Sequence, residues 1–283
     1  MDNVLVAAAD LVEEMLGERP PVVLDIRWSL AGSDFEGFAA GHIPGALFVD
    51  LDTDLAGEVG DGVQGRHPLP KPEALQATWR KVGIKLGDSV VVYDARDSSA
   101  AARAWWLLRW CGIKNVRVLD GGLAAWEAAG LRVKASAGTP NVPGGVRVTA
   151  PAMPTVDASQ AGALAAGAET ALVDARGAAR FRGEAEPVDA VAGHIPGAVN
   201  LPFTELLHSD GTFKPAGEIA ALFRAVGITP GTEAAASCGS GITACHLILG
   251  AAVAGIDMAL YPGSWSSWVA QELPVETGPA RAS

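Results

Sequence analysis

Cys238 opens the run Cys-Gly-Ser-Gly-Ile-Thr-Ala, residues 238–244, in a chain with only three cysteines. Gly239 and Gly241 permit positive φ and close backbone approach. Thr243 stands where a helix N-terminus would begin and could cap it. Successive N–H groups of such a loop converge into an anion nest, reinforced by the helix dipole. That field favours thiolate over thiol and makes a cysteine nucleophilic. The plainer alternative is an inert cysteine buried at a tight turn. Two reaction classes place a thiolate in such a cradle. Phosphatases of the Cys-x5-Arg type need an arginine six residues on to clamp phosphoryl oxygens. Here that residue is Ala244, which disfavours phosphate chemistry. The other class passes a sulfur atom: the thiolate attacks the donor's sulfur, holds it as a persulfide, and yields it to a thiophilic acceptor. A persulfide anion also needs N–H donors around its outer sulfur.

The elements that would carry this loop are written twice. "AGHIPGA" occupies residues 40–46 and again 192–198, each preceded by a strand-like run ending in Asp-x-Arg, "VVLDIR" (22–27) and "ALVDAR" (171–176). "KVGIKLGDSVVVYD" (81–94) aligns without gaps to "AVGITPGTEAAASC" (225–238), and "DGGLAAW" (120–126) answers "PGSWSSW" (262–268). Four landmarks repeated in one order, about 150 residues apart, indicate duplicated domains and not a solenoid. The stretch from Lys134 to Pro154, dense in Pro, Gly and Ala, marks the seam. The expected division is a first domain over 1–138, a linker over 139–153 and a second domain over 154–283.

Each half reads as α/β. "SVVVYD" (89–94) suits a buried parallel strand. "ARAWWLLRWCG", ending at Gly112, suits a helix, and "VRVLDGG" (116–122) returns as a strand, completing a βαβ unit. In such sheets ligands bind at the carboxyl ends of strands. Cys238 holds that place in the second half and Asp94 in the first. The strand "EAAASC" is alanine-rich, and the strand assignment rests on the repeat, since alanine is a weak strand former.

Composition narrows the function classes. The 283 residues, 49% of them hydrophobic, can build two sizeable cores, and the net charge of −11 opposes nucleic acid and anionic membrane as partners. No apolar run reaches the ~18 residues of a membrane span, and the acidic N-terminal stretch lacks the basic region of a signal peptide. Cys111, Cys238 and Cys245 do not form a disulfide framework; a helical segment between the last two would hold them about 10 Å apart along its axis. A reducing cytoplasm is therefore expected. No CxxC, HExxH or His/Cys cluster suggests a metal site, and sulfur-on-sulfur attack implies no cofactor.

From "LDIRW" to "PGSWSSW" the chain resembles the tandem-domain rhodanese-family sulfurtransferases. The resemblance implies two rhodanese-like domains, each a mainly parallel sheet flanked by helices. The nucleophile would lie only in the second, and Asp94 would be an inactive replacement in the first. The loop is similar to the 3-mercaptopyruvate branch, with thiosulfate as the alternative donor; both are small and anionic. Ser240 would then be the hydroxyl beside the nucleophile. His67 in "GRHPLP" and Asp52 in "FVDLD" match first-half positions that reach that serine, giving a proton relay. Gly239, Gly241, Ile242 and Thr243 would line the donor site. Arg180 in "DARGAARFRG" would bind the donor's carboxylate or sulfonate. Val188 stands where mercaptopyruvate enzymes carry a second arginine, which leaves the donor less defined than the reaction. The acceptor would be cyanide, a small thiol or a thioredoxin-like protein. The contrasting reading is a non-enzymatic binding module on the same scaffold.

The remaining candidates read as structural. Arg27 and Arg176 recur in both halves and suit ion pairs, as His42 and His194 suit turn packing. Arg182 is expected at the surface. Cys111 and Cys245 suit the core, as do Trp105, Trp106 and Trp110. Trp265 and Trp268 follow a Gly turn and suit either packing or a pocket wall.

Overall fold

A computed structural model describes residues 3–29, 32–138 and 142–280. The chain divides into two compact units: Met1–Gly57 with Leu69–Met153 and Ser209–Phe213, and Glu58–Pro68 with Pro154–His208 and Lys214–Ser283. The short segment Glu58–Pro68, although it lies early in the chain, belongs to the second unit.

The first unit contains β1 (Leu5–Val6), α1 (Ala8–Met15), β2 (Val22–Ser29), β3 (Gly32–Ser33), α2 (Phe35–Ala40), β4 (Leu47–Asp50), α3 (Leu51–Asp54), α4 (Pro72–Lys81), β5 (Val90–Tyr93), α5 (Ser99–Trp110), β6 (Val116–Leu119) and α6 (Gly122–Ala128). The strands run β1-β6-β5-β2, with β4 parallel to β2 and the short β3 antiparallel on it. All four residues of β5 are buried, which is why that strand is a continuous apolar run and not an alternating one. The expected helix after it begins at Ser99 and carries Trp105 and Trp106 fully into the core, with Cys111 buried at its end. The expected linker begins at 139–141, outside the described residues, and from 142 to 153 it takes no regular structure. It is nevertheless held to this unit by backbone bonds from Val146 to Ile84, Thr149 to Cys111 and Ala152 to Trp110.

The second unit contains α7 (Ala158–Ala166), β7 (Thr170–Asp174), α8 (Ala178–Phe181), β8 (Val199–Asn200), a 3-10 turn at Phe203–Leu206, α9 (Ala216–Ala225), β9 (Glu233–Ser237), α10 (Thr243–Val253), β10 (Ala259–Leu260) and α11 (Ser264–Ala270). Its four strands are all parallel in the order β10-β9-β7-β8, and Thr155 adds a parallel bridge to Leu260. The same order is obtained from the first unit when β6, β5, β2 and β4 are set against β10, β9, β7 and β8. The alanine-rich strand is therefore real. β9 pairs with neighbours on both sides, and Ala235 shares a core cluster with Tyr261, Trp265 and Trp268. Small side chains on the strand leave room for those rings.

The duplicated motifs form one clasp in each unit. Arg27 donates to Asp25 at 2.7 Å and to the Gly41 carbonyl at 2.7 Å; Arg176 donates to Asp174 at 2.7 Å and to the Gly193 carbonyl at 2.7 Å. The neighbouring histidines repeat as well. His42 stacks on Phe38 and His194 on Phe181, with ring centroids 4.0 and 3.8 Å apart. Each Nδ1 lies 2.8 Å from the carbonyl of the phenylalanine on which the ring stacks. These groups tie the start of each "GHIPG" turn to its sheet and are structural in both copies.

Candidate active site

Cys238 follows the last residue of β9, and α10 starts five residues later at Thr243, so the loop sits at the carboxyl end of a central strand. The thiol is buried, at 1% exposure. Its Sγ accepts the Gly241 N–H at 3.1 Å. Gly241 has φ +83°, and a β-carbon there would lie 2.4 Å from the Pro262 carbonyl oxygen. Both the conformation and the close approach of the chain exclude a side chain, so this glycine is what aims the amide at sulfur.

The expected cap at Thr243 is not formed. Ile242 occupies the cap position and no side chain caps α10. The bend is closed instead by backbone, with Cys245 N donating to Ile242 O at 3.0 Å. Cys245 donates its thiol to the Gly241 carbonyl at 3.3 Å and is buried, in keeping with a core role.

A second turn supports the Cys238 loop. Trp265 N donates to Cys238 O and Ser266 N to Gly239 O, at 3.0 and 2.9 Å. Ser264, wholly buried, accepts the Cys238 N–H at 3.0 Å and donates its own hydroxyl to the Tyr261 carbonyl at 2.9 Å. Its Oγ lies 4.0 Å from Sγ, and the shorter carbonyl bond claims its only proton. Ser264 has φ +51°, an unusual conformation for a non-glycine residue. Sequence reasoning missed this serine, although its place in the repeated "PGSWSSW" turn was a usable signal. The two tryptophans are packing residues. Trp265 and Trp268 are buried and donate their Nε1 to the Val191 and Pro274 carbonyls, and Arg176 lies over the Trp265 ring at 4.8 Å.

Ser240 is paired with His67 as expected: His67 Nδ1 lies 2.8 Å from Ser240 Oγ. The contact is internal to the second unit because the segment bearing His67 belongs there. Asp52 lies on α3 of the first unit, where its carboxylate accepts the Trp28 indole N–H at 2.9 Å. Burial raises its pKa, with the Trp28 bond opposing and the Asp50 charge adding to the rise.

Arg180, at the end of α8, donates to Glu186 at 2.6 Å and to Asp189 at 3.3 Å. Glu186 also meets Arg176 at 3.4 Å and accepts the Val188 and Asp189 amides at 3.0 and 3.1 Å. Burial alone would raise the Glu186 pKa; the Arg180 bond and the two amides outweigh it, and the net shift is downward. Arg176 keeps its proton firmly: burial disfavours the cation, but Asp174 and Glu186 more than offset it. Val188 is partly exposed and contributes only backbone here. Arg182 pairs with Glu184 at the surface. Sequence reasoning did not single out Arg66, whose guanidinium pairs with Asp189.

The first unit puts Asp94 in the corresponding place. Its carboxylate accepts three amides, those of Arg96 and Ser98 at 2.9 and 3.0 Å and Ala101 at 3.0 Å. The nest is thus filled by the protein's own anion. Burial pushes the Asp94 pKa up to about 6 against the pull of those amides.

A parallel sheet with a glycine loop at a strand's carboxyl end, duplicated with a cysteine there in one copy and Asp94 in the other, defines the scaffold. The Rhodanese-like domain family matches residues 8–129 and 157–271, and the chain belongs to that family. It is 45% identical over 94% of both chains to a Mycobacterium tuberculosis protein named "Putative thiosulfate sulfurtransferase SseB". It is 34% identical to the 3-mercaptopyruvate sulfurtransferase of Escherichia coli, over 98% of this chain and 99% of that one. The crystal structure of SseA from Escherichia coli superposes with a TM-score of 0.82 at 30% identity, covering 93% of this chain and 99% of that one. The protein is a sulfurtransferase, and its substrates include a small sulfur donor. Among the described residues no helix is long and apolar enough to cross a membrane.

Proposed function

We propose that this sulfurtransferase carries sulfur as a persulfide on Cys238 and takes it from 3-mercaptopyruvate in preference to thiosulfate. The observation that carries the reading is the Gly241 amide held 3.1 Å from Sγ inside a glycine loop. An N–H placed there stabilises the attacking thiolate and then the persulfide anion. In the first step the Cys238 thiolate forms a bond to the donor sulfur as the carbon–sulfur bond breaks. The bonding pair leaves on the pyruvate enolate, and the donor's thiol proton accounts for the added hydrogen of pyruvate. In the second step an acceptor takes the outer sulfur and the pair returns to Cys238. Cyanide leaves as thiocyanate, and a small thiol or a thioredoxin-like protein leaves as a persulfide.

The Ser240–His67 pair supports the keto-acid donor. A hydroxyl backed by imidazole can protonate an enolate oxygen, a need that sulfite leaving from thiosulfate does not have. Arg180 anchors the donor's anionic end, with Gly239, Gly241, Ile242 and Thr243 shaping the space. The thiosulfate reading is favoured by the presence of a second guanidinium, Arg66, near Gly239. The three cysteines are all unbridged, which suits a reducing cytoplasm.

The test gives purified protein either donor with cyanide and follows thiocyanate, with Cys238→Ser alongside. A large kcat/KM advantage for mercaptopyruvate, lost in Cys238→Ser, supports the proposal. An advantage for thiosulfate overturns the donor and leaves the persulfide. Failure with both donors, or full activity in Cys238→Ser, overturns the catalytic reading and favours a binding module.

A further inference from the structure

Ser240 sits on the Cys238 loop and His67 on the strip Glu58–Pro68, and neither residue lies in a strand or helix. Their 2.8 Å contact therefore depends on what fixes the two pieces of backbone against each other. The strip folds on itself, with Gly62 N donating to Val59 O at 3.0 Å and Gly65 N to Gly62 O at 2.9 Å. The first turn of α11 attaches it to the rest of the unit. Ser267 Oγ donates to Val63 O at 2.7 Å, and Ser266 Oγ accepts the N–H of Arg66, the residue before His67, at 3.1 Å. Between these bonds Gly65, with φ +86°, comes so close that a β-carbon would lie 2.6 Å from the Gly263 carbonyl oxygen.

Both serines are buried, and their neighbours fix the role of each hydroxyl. Ser266 Oγ gives its proton to the Gly263 carbonyl at 3.1 Å, so it meets the Arg66 amide as an acceptor. Ser267 Oγ gives its proton to Val63 and accepts from Gln271 Nε2 at 2.9 Å and from the Tyr261 hydroxyl at 3.2 Å. The same turn grips the Cys238 loop through its backbone, with Trp265 N and Ser266 N donating to the Cys238 and Gly239 carbonyls. Ser266 is thus bonded through its amide to the loop of Ser240 and through its hydroxyl to the strip of His67.

The first unit shows this turn without that task. "DGGLAAW" (120–126) matches "PGSWSSW" (262–268), and Leu123 N donates to Asp94 O at 2.9 Å as Trp265 N does to Cys238 O. That backbone grip is common to both copies. The hydroxyls are not: Ala124 and Ala125 stand where the second half has Ser266 and Ser267. A strip of chain docks there too, but Phe213 N donates to the Asp120 carboxylate at 2.8 Å, and Pro262 answers Asp120 in the second half. The two serines occur in the copy that holds the cysteine, and they are directed at the strip that holds the histidine.

We infer that Ser266 and Ser267 are positioning residues that hold His67 against Ser240 and so set the proton relay at the enolate oxygen. This rests on the reading of Ser240 and His67 as the pair that serves a keto-acid donor. Without a hydroxyl at 266 the Arg66 amide loses its acceptor, and without one at 267 the Val63 carbonyl loses its donor. Either loss releases the strip to shift by the fraction of an ångström that breaks the contact to Ser240.

The inference is tested on Ser266→Ala, Ser267→Ala and Ser266→Thr, which keeps the hydroxyl. Rates are read in single turnover at saturating donor, where differences in donor binding drop out. Each alanine variant is expected to slow pyruvate release from mercaptopyruvate by about 10- to 100-fold, with sulfite release from thiosulfate close to that of the parent. Ser266→Thr should recover part of the loss. In a His67→Gln background neither alanine should slow the reaction further, because a residue acting through the histidine has nothing left to position. The second readout is the imidazole nitrogen NMR spectrum. The His67 signals, identified by their loss in His67→Gln, should move in both alanine variants while those of the other four histidines stay. An unchanged rate with mercaptopyruvate in both alanine variants overturns the inference. So does an equal fall with both donors, an additive fall in the His67→Gln background, or failure of both variants to fold, each of which would make the serines struts of the unit. If the parent releases no pyruvate from mercaptopyruvate, the functional reading fails on its own, and the His67 signals still decide whether the serines place the ring.

Discussion

Replacing Ser240 by alanine separates the two donors. The hydroxyl is 7% exposed and lies 2.8 Å from His67 Nδ1. With the ring proton directed at Oγ, the serine hydrogen is free to donate to an enolate oxygen, and the imidazole replaces it. Ser240→Ala removes that donor without adding volume to the loop. A positioned general acid is worth about 10²- to 10⁴-fold in rate, equivalent to about 3–5.5 kcal/mol of barrier. Expulsion of pyruvate enolate should bear this cost. Sulfite leaves thiosulfate as a stable anion and should not. Single-turnover mixing with each donor, reading pyruvate or sulfite release, is the assay. The expected result is a fall of at least about 100-fold for mercaptopyruvate, with thiosulfate turnover little changed. His67→Gln should follow the same pattern, and the double variant should be no worse than the more damaged single one, because the two act as a unit. A parallel fall with both donors would place Ser240 in the shape of the loop and refute the proton role, as would no fall with either.

Gly241→Ala should abolish the nest for every donor. The left-handed conformation costs an alanine about 1–2 kcal/mol, and the contact with Pro262 forces the loop to move. Loss of an aligned N–H should lower kcat/KM by about 10²- to 10³-fold for both donors, in contrast to Ser240→Ala. Ser264→Ala keeps the unusual backbone but deprives the buried Cys238 amide of its acceptor; a loss of about 1–3 kcal/mol is expected in denaturant titration, and Ser264→Gly, which accepts the positive φ more readily, should lose less than Ser264→Ala. Asp94 carries a pH signature. Its folded pKa, about 6 against the ordinary 3.8, means that the folded state holds an extra proton between those values. Its effect is therefore to lower stability as pH rises from about 4 to about 6 and to level off above, by up to about 3 kcal/mol in all. Melting curves of the parent and Asp94→Asn should diverge across that window, the parent gaining relatively on acidification; a constant difference from pH 4 to 7 would refute it.

Much of the site was legible because local chemistry wrote it. Cysteine with alternating glycines at a strand end has few other uses, and the structure places Gly241 N on Sγ. The Asp-x-Arg and Gly-His-Ile-Pro-Gly repeats were readable as structural because they also occur in the half that has Asp94 in place of Cys238, and both copies close the same clasp. Thr243 was misread as a cap, since propensity alone does not say whether backbone or side chain closes a bend. Trp265 was ambiguous for a similar reason: its burial depends on the alanines of β9, which leave the space it fills.

Residue order alone determined the duplication, the parallel α/β architecture, and the place of Cys238 at a strand end where the first half has Asp94, because each is a matter of which residues recur at which spacing. Tertiary structure alone decided that Arg66 joins Arg180 beside Gly239 and that Ser264 holds the Cys238 amide. Positions 66 and 239 are far apart in the chain, and no periodicity links them. Their meeting depends on where the Glu58–Pro68 segment docks, a property of close-packed backbone surfaces that a one-dimensional pattern does not contain.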